Sequence, residues 1–446
     1  MSDKNMSRRA VAEIYFNGTD ISKSIGKNLI SLSYTDNEED EADDLQIKIE
    51  DRDGTWLREW LNASIQSAAS GVPSEDGEKI VTQYKVTAKS GLNIRSGPGT
   101  NHGILGAFTF GTVVDVSGIA DGWASIQYSG KDAYAYASYL EEIEGSTAPS
   151  VEKEEQGAES GVKGLSVQAL IVCENWKADG NDVVLDCGQF ELDDISASGP
   201  PSEVTFKCTS LPFSSKIRQT EKNKAWEGYS LSGIANEMAS ENGFACLYES
   251  DSDPEYERVE QITESDISFL SWLCHDAGIS LKVTNHIIVL FDQVAYEAKD
   301  EIMTIVYGDG SYGKYKLASG TADKEYASCR VSYTNPDDGN VISATAFIED
   351  YDAEDEENQQ LEITAKVSNT GEAQKLAEKH LRLKNKYEYS ASFTLPGDPR
   401  MVAGVTLAIS DFGPWDGKYI IKQVKHSLGG SGYVTQIELR RVLEGY

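Results

Sequence analysis

Apolar and polar residues alternate with a period of two through the first fifty positions, the pattern of strands with one face turned to a core. In the run that starts at Asp44, Leu45, Ile47 and Ile49 share one face and Gln46 and Lys48 the other, and residues 11–16 and 28–34 read the same way. The acidic connection TDNEEDEADD separates the last two runs. After Asp51-Arg52-Asp53-Gly54 the chain turns into the segment from Trp56 to Leu61, then enters a Ser/Gly/Glu-rich stretch. Strand signal resumes over 165–172, 183–188 and 203–208.

The period then lengthens. Leu231, Ile234, Ala235 and Met238 recur at helical spacing and stop at Asn242-Gly243, an ordinary helix end. Thr263-Glu264-Ser265-Asp266 opens a second helix, with Ile267, Leu270 and Cys274 on one stripe and Phe269, Leu273 and Ala277 beside it, and Gly278 closes it. A hairpin follows, 279–283 against 286–291, turning at Thr284-Asn285. From about residue 311 alternation returns, as at Cys329, Val331 and Tyr333. One further helix is expected from Gly371 to about Lys384, beginning after Thr370 and burying Ala373, Leu376, Ala377, His380 and Leu381. Strands at 389–395, 405–409, 419–424 and 433–439 finish the chain, the last two as a hairpin through Gly429-Gly430-Ser431-Gly432.

Residues 92–140 break this order. Short β-rich runs at Leu92, Ile104, Val113, Trp123 and Ala133 are punctuated by Gly and Pro too tightly for helices, which predicts a small barrel. Polar linkers flank it, the second being EGSTAPSVEKEEQGAESGVKG. A complete module set between two incomplete groups of strands implies that those groups pair with each other to finish one sheet, because a few strands alone are rarely stable.

A length of 446 residues allows three or four domains. With 73 acidic against 40 basic residues the formal charge is -33, which argues against sequence-specific nucleic-acid binding. The opening MSDKNMSRRAVAEIYF lacks an apolar export core and no run is long enough to cross a membrane, so no membrane insertion and assembly in the cytoplasm are expected. Cys173, Cys187, Cys208, Cys246, Cys274 and Cys329 are spread out with no zinc spacing and read as buried free thiols; no metal, cofactor or catalytic residue is expected. His275 follows Cys274, but neighbours on a helix point about 100° apart and do not form a nucleophile–base pair.

The stretch LNIRSGPG, the later GTVV and GW, and the closing SYL make residues 92–140 similar to the bacterial SH3 family, with Ala133 where that family has glycine. The resemblance implies a peptidoglycan or peptide ligand, for which Arg95, Trp123, Tyr136 and Tyr139 are the candidate binding residues; the alternative is that they are core aromatics and a turn-bracing arginine.

Outside that module, ITESDISFLSWLCHDAGISLKV and DGKYIIKQVKHSLGGSGYVTQIELRR resemble the baseplate hub proteins of contractile phage tails, the late control protein D family. Ser265, Asp266, Phe269, Leu270, Leu273 and Gly278 match the first motif, and Asp416, Gly417, Tyr419, Val424 and His426 the second; all read as structural. The fold implied is mainly β with α+β parts. Its expected parts are a first tube-like β-barrel split over 1–64 and 164–211, an SH3-like insert at 78–144, a linker at 145–163, an α+β domain at 212–310 and a second tube-like barrel at 311–446. The implied role is a homotrimer forming a pseudo-sixfold ring between the tail tube protein and the central spike protein, beside other baseplate proteins. Its place is the virion baseplate or a tail-like bacteriocin or other extracellular injection particle. Acidic loops 35–44 and 349–358 are expected either to line the lumen or to be solvated, and the insert to hang outside on its linkers, touching cell wall or a baseplate neighbour. A peptidoglycan hydrolase targeted by the insert is the alternative function.

Overall fold

The computed structural model describes residues 7–60, 82–88, 92–99, 102–108, 112–120, 122–128, 131–147, 165–178, 180–211, 215–319, 326–334, 339–349, 351–354 and 358–443. The polar stretch at 61–81 and most of the expected linker at 145–163 lie outside them, although strand Leu140–Thr147 carries the insert past 144.

Thirteen strands form one sheet. Arg9–Phe16 pairs antiparallel with Ser166–Ala178 across the insertion, Arg9 meeting Glu174 and Phe16 meeting Val167. The order continues through Asn181–Ser198, Glu203–Thr209, Asp44–Glu50 and Leu29–Asn37. Leu45, Ile47 and Ile49 point inward and join Ile14, Leu32, Val167, Ile171, Phe190 and Phe206 in the core of this first lobe. The sheet then passes directly into a second lobe, since Leu29–Asn37 pairs with Gly417–Gly429, from Asn37 opposite Gln423 to Ser31 opposite Gly429. Gly432–Arg441, Tyr389–Pro396 and Lys314–Ser319 follow in order, while Thr406–Ser410 and Thr304–Val306 branch off Gly417–Gly429. Phe393, Leu407, Tyr419, Val424 and Leu439 fill this lobe.

Between the lobes in sequence lies an α+β unit. Helices Leu231–Glu241 and Asp266–Asp276 start at Ser230 and Ser265, whose side chains accept from the amides of Gly233 and Ser268. They cover a three-stranded sheet in which Ile287–Phe291 is central, burying Ile234, Met238, Phe269, Leu270 and Leu273.

Helix Thr370–Asn385 is capped by Asn369 rather than Thr370: the Asn369 side chain accepts from the amide of Glu372 at 3.0 Å, and Glu372 accepts in turn from the amide of Ser368 at 2.7 Å. It does not cover the second lobe. Its stripe of Ala373, Ala377 and Leu381 packs on Cys329, Val331 and Ala346 of a separate sheet made by Ser328–Thr334, Val341–Phe347 and Gln360–Thr364.

The insert is a seven-stranded unit, and Ala133 fits it because its methyl is fully buried. The expectation that it hangs free is wrong. Its core of Val86, Leu92, Ile94, Phe108, Val114 and Ile126 is continuous with Tyr15, Leu170 and Val184 of the first lobe. Burial of each such aliphatic side chain is worth about 1.5–3 kcal/mol, which favours docking over a tether.

Candidate functional site

The chain concentrates buried charge where the two lobes and the α+β unit meet. Strand Leu29–Asn37 keeps its ladder to the end, and the next amide, of Glu38, donates to the carbonyl of Lys422 at 2.8 Å. Asp36, Asn37, Glu38 and Asp43 are all buried, so the acidic loop is only partly solvated: Asp40, Glu41 and Asp44 face solvent while the four residues around them turn inward. A buried carboxylate persists only with charged or hydrogen-bonding partners, and each here finds them on another unit.

Glu38 receives two bonds from Arg440, at 2.9 Å from Nε and 2.6 Å from Nη2, and the remaining Nη1 reaches Glu297 at 2.5 Å. Glu297 also pairs with Arg382. Glu39 pairs with Lys386 and accepts from Ser280 Oγ at 2.5 Å and Gln293 Nε2 at 2.7 Å. Asp36 pairs with Lys282 and accepts from the amide of Ala403 at 2.8 Å, while Lys282 donates to the carbonyl of Asn37 at 2.6 Å. Asp43 Oδ1 accepts from the amide of Asn37 at 2.9 Å, and its own amide donates to Ser210 Oγ.

The electrostatics follow from this arrangement. Burial alone would raise Glu39, but the Lys386 ammonium outweighs it and Glu39 lies below the ordinary carboxylate value. Burial likewise opposes the charge on Arg440, yet Glu38 and Glu297 hold its pKa above normal. Asp43 is different: burial pushes it up to about 7 against the pull of Lys282, and its Oδ2 has no hydrogen-bond partner among the described residues.

The motif residues are structural. Asp266 accepts from Lys222 at 2.6 Å, Asn242 at 2.8 Å and Gln261 at 2.9 Å. Asp416 accepts from the amide of Phe412 at 2.6 Å, and the Tyr419 hydroxyl donates to the Trp415 carbonyl at 2.9 Å. His426 is fully buried. Its Nε2–H donates to the carbonyl of Met401 and its Nδ1 accepts from the Tyr433 hydroxyl, each at 2.8 Å, and burial lowers its pKa to about 4. The six cysteines are buried free thiols. Among the described residues no group of three or more His, Cys, Asp or Glu could hold a metal ion, and no helix is long and apolar enough to cross a membrane.

On the insert, the structure brings three of the four candidate residues together. Trp123 is nearly buried, with Tyr136 edge-on to it at 5.3 Å between ring centroids and Tyr139 tilted beside Tyr136 at 6.0 Å. Tyr136 and Tyr139 are 44% and 50% exposed. Arg95 donates to the carbonyl of His102 at 2.8 Å and so braces the turn. In the described part of the loop at 349–358, Glu349 and residues 351–354 are exposed and Asn358 is half-buried.

Sequence reasoning missed the charged junction. Lys282 between Leu281 and Val283 in a short apolar strand, and Arg440 beside Leu439, were its visible traces.

The model of the bacterial SH3 domain matches residues 90–141, and that of the phage tail baseplate hub (GPD) matches residues 211–432. The chain belongs to the baseplate hub family and carries a bacterial SH3 insert. Two solved structures share the hub fold over nearly the whole length. A tail protein from Neisseria meningitidis MC58 has a TM-score of 0.55 at 9% identity, covering 97% of each chain. The 43 kDa tail protein of prophage MuSo2 from Shewanella oneidensis has a TM-score of 0.53 at 12% identity, covering 97% of this chain and 98% of that one. No curated protein matches the hub chain in sequence.

Two outcomes test the junction. Replacing Arg440 by Met in the hub strands Glu38 and leaves Glu297 to Arg382 alone, and is expected to cost about 3–5 kcal/mol in denaturant unfolding. Because Asp43 is raised in the folded state, its contribution to stability is complete at low pH and is lost as pH rises towards 7 and beyond. Asp43→Asn should therefore flatten the decline in unfolding free energy between about pH 4 and pH 7; equal slopes for the two proteins would refute this assignment.

Proposed function

We propose that this chain is the structural, non-catalytic hub of a contractile-tail baseplate, in a phage or a tail-like injection particle. Three copies close into a pseudo-sixfold ring that joins the tail tube to the central spike. The division into a split first barrel (1–64 and 164–211), an insert (78–144), an α+β domain (212–310) and a second barrel (311–446) is part of the proposal, as is assembly in the bacterial cytoplasm before incorporation in the baseplate.

One observation carries the reading: a single sheet runs through both lobes, joined strand to strand from Asn37–Gln423 to Ser31–Gly429. One chain thus supplies two adjoining β units, and three chains supply the six that a sixfold tube needs above a threefold spike. The strand order ends at Thr19–Asp20, beside Arg9–Phe16, on one side and at Lys314–Ser319 on the other. Open edges of this kind call for a covering partner, and unlike edges meeting head to tail close a ring. Native mass spectrometry of the protein with its tube and spike partners should give complexes holding three copies of the 48.8 kDa chain; complexes with one copy throughout would overturn the reading.

The exposed pair Tyr136 and Tyr139 beside Trp123 supports a cell-wall ligand for the insert, since such rings offer apolar faces with a polar tip. Replacing both tyrosines by Ala should lower retention on purified peptidoglycan by about tenfold, the effect of losing roughly 1.4 kcal/mol of aromatic contact. Unchanged retention would remove peptidoglycan as the ligand of this face.

A further inference from the structure

Three neighbouring strands of the first lobe carry packed apolar side chains on their outer face as well as on their core face. In Arg9–Phe16, Ile14 and Phe16 enter the lobe core while Tyr15 turns the other way. In Ser166–Ala178, Ala169, Ile171 and Cys173 face the core while Leu170 and Val172 face outward. In Asn181–Ser198, Val183 and Leu185 face the core and Val184 outward. A lobe with water on its outside has no use for this second apolar face, and strands apolar on both sides are those covered on both sides. The cover here is the insert, whose strand Ile104–Phe108 lies over Asn181–Ser198.

The insert also grips the α+β unit. Its strand Leu140–Thr147 runs beside Ala245–Glu249, and Lys85 pairs with Glu249 with both side chains largely buried. Glu249 in turn binds the Tyr296 hydroxyl, and the Tyr296 ring stands 3.2 Å from where a Cβ on Gly404 would be, on a loop of the second lobe. The strands that run along the rest of the chain are the two at the opposite ends of the insert's strand order, and Lys85 comes from Thr82–Val86, next to one of them. Trp123–Tyr128 and Lys131–Tyr136, which bring in Trp123 and Tyr136, lie in the middle of that order.

We propose that the insert is an intramolecular brace: it clamps the α+β unit against the first lobe through both ends of its sheet and holds the Trp123–Tyr136–Tyr139 face at a fixed position on the outside of the protein. This rests on contacts within one chain, so it stands or falls separately from trimerisation and from the identity of any wall ligand.

Hydrogen exchange on the full-length protein, with small-angle scattering beside it, tests the brace. Val184→Asp puts a charge into the covered face while leaving the core-facing residues alone, and Lys85→Met removes the ionic anchor. In Val184→Asp, amides of Ile104–Phe108, Leu140–Thr147 and Ala245–Glu249 should exchange at least about tenfold faster, while those of Asp44–Glu50 and Glu203–Thr209 stay protected and the radius of gyration grows. Lys85→Met should raise exchange at Leu140–Thr147 and Ala245–Glu249 alone. Wild-type exchange and dimensions in both variants would show that the insert moves independently of the rest, and loss of protection in Asp44–Glu50 in both would show that it is an inseparable part of the lobe core. Either result overturns the proposal.

Discussion

Burying the side chains of Asp36, Glu38, Glu39 and Asp43 constrains everything around them. Glu38 and Glu39 sit where water is excluded, and their charge is tolerable only because Arg440 arrives from the last long strand and Lys386 from just beyond the end of helix Thr370–Asn385. Asp36 makes the same demand on Lys282 of the α+β unit. Lobes and α+β unit therefore cannot drift apart without exposing unpaired ions. Apolar surfaces can slide, but a bidentate pair such as Glu38 with Arg440 fixes direction as well as distance.

Much of the architecture was legible because it is local. The alternation at Leu45, Ile47 and Ile49 and the helix start at Ser265-Asp266 are each encoded within a few residues, and the structure has them where expected; the hairpin turn falls one residue later than expected, at Asn285-His286, because Thr284 still pairs with Ile287. The cap at Asn369 was off by one position because two neighbouring residues were both suitable. Pairing across the insertion followed from the need of incomplete sheets for more strands.

What remained hidden depends on distance in sequence. An acidic run looks the same whether water or a distant arginine receives it, and Arg440 lies some four hundred positions from Glu38. The helix Thr370–Asn385 advertised an apolar stripe, but the stripe does not say which sheet it meets. On the insert, aromatic content could not separate core from surface. The fold divides the group: Trp123 is packed, Tyr136 and Tyr139 are open, and Arg95 serves a turn.

The two-sided strands of the first lobe bear on inheritance. A module joined only by flexible tails can be gained, lost or traded between genomes in one recombination event, with the recipient unchanged. Here the recipient surface presents Tyr15, Leu170 and Val184, which are buried only because the guest covers them. A hub that lost the guest would carry a greasy scar until those codons mutated, and one that acquired a foreign guest would need them to match, so the two halves of this protein are bound to evolve as a pair.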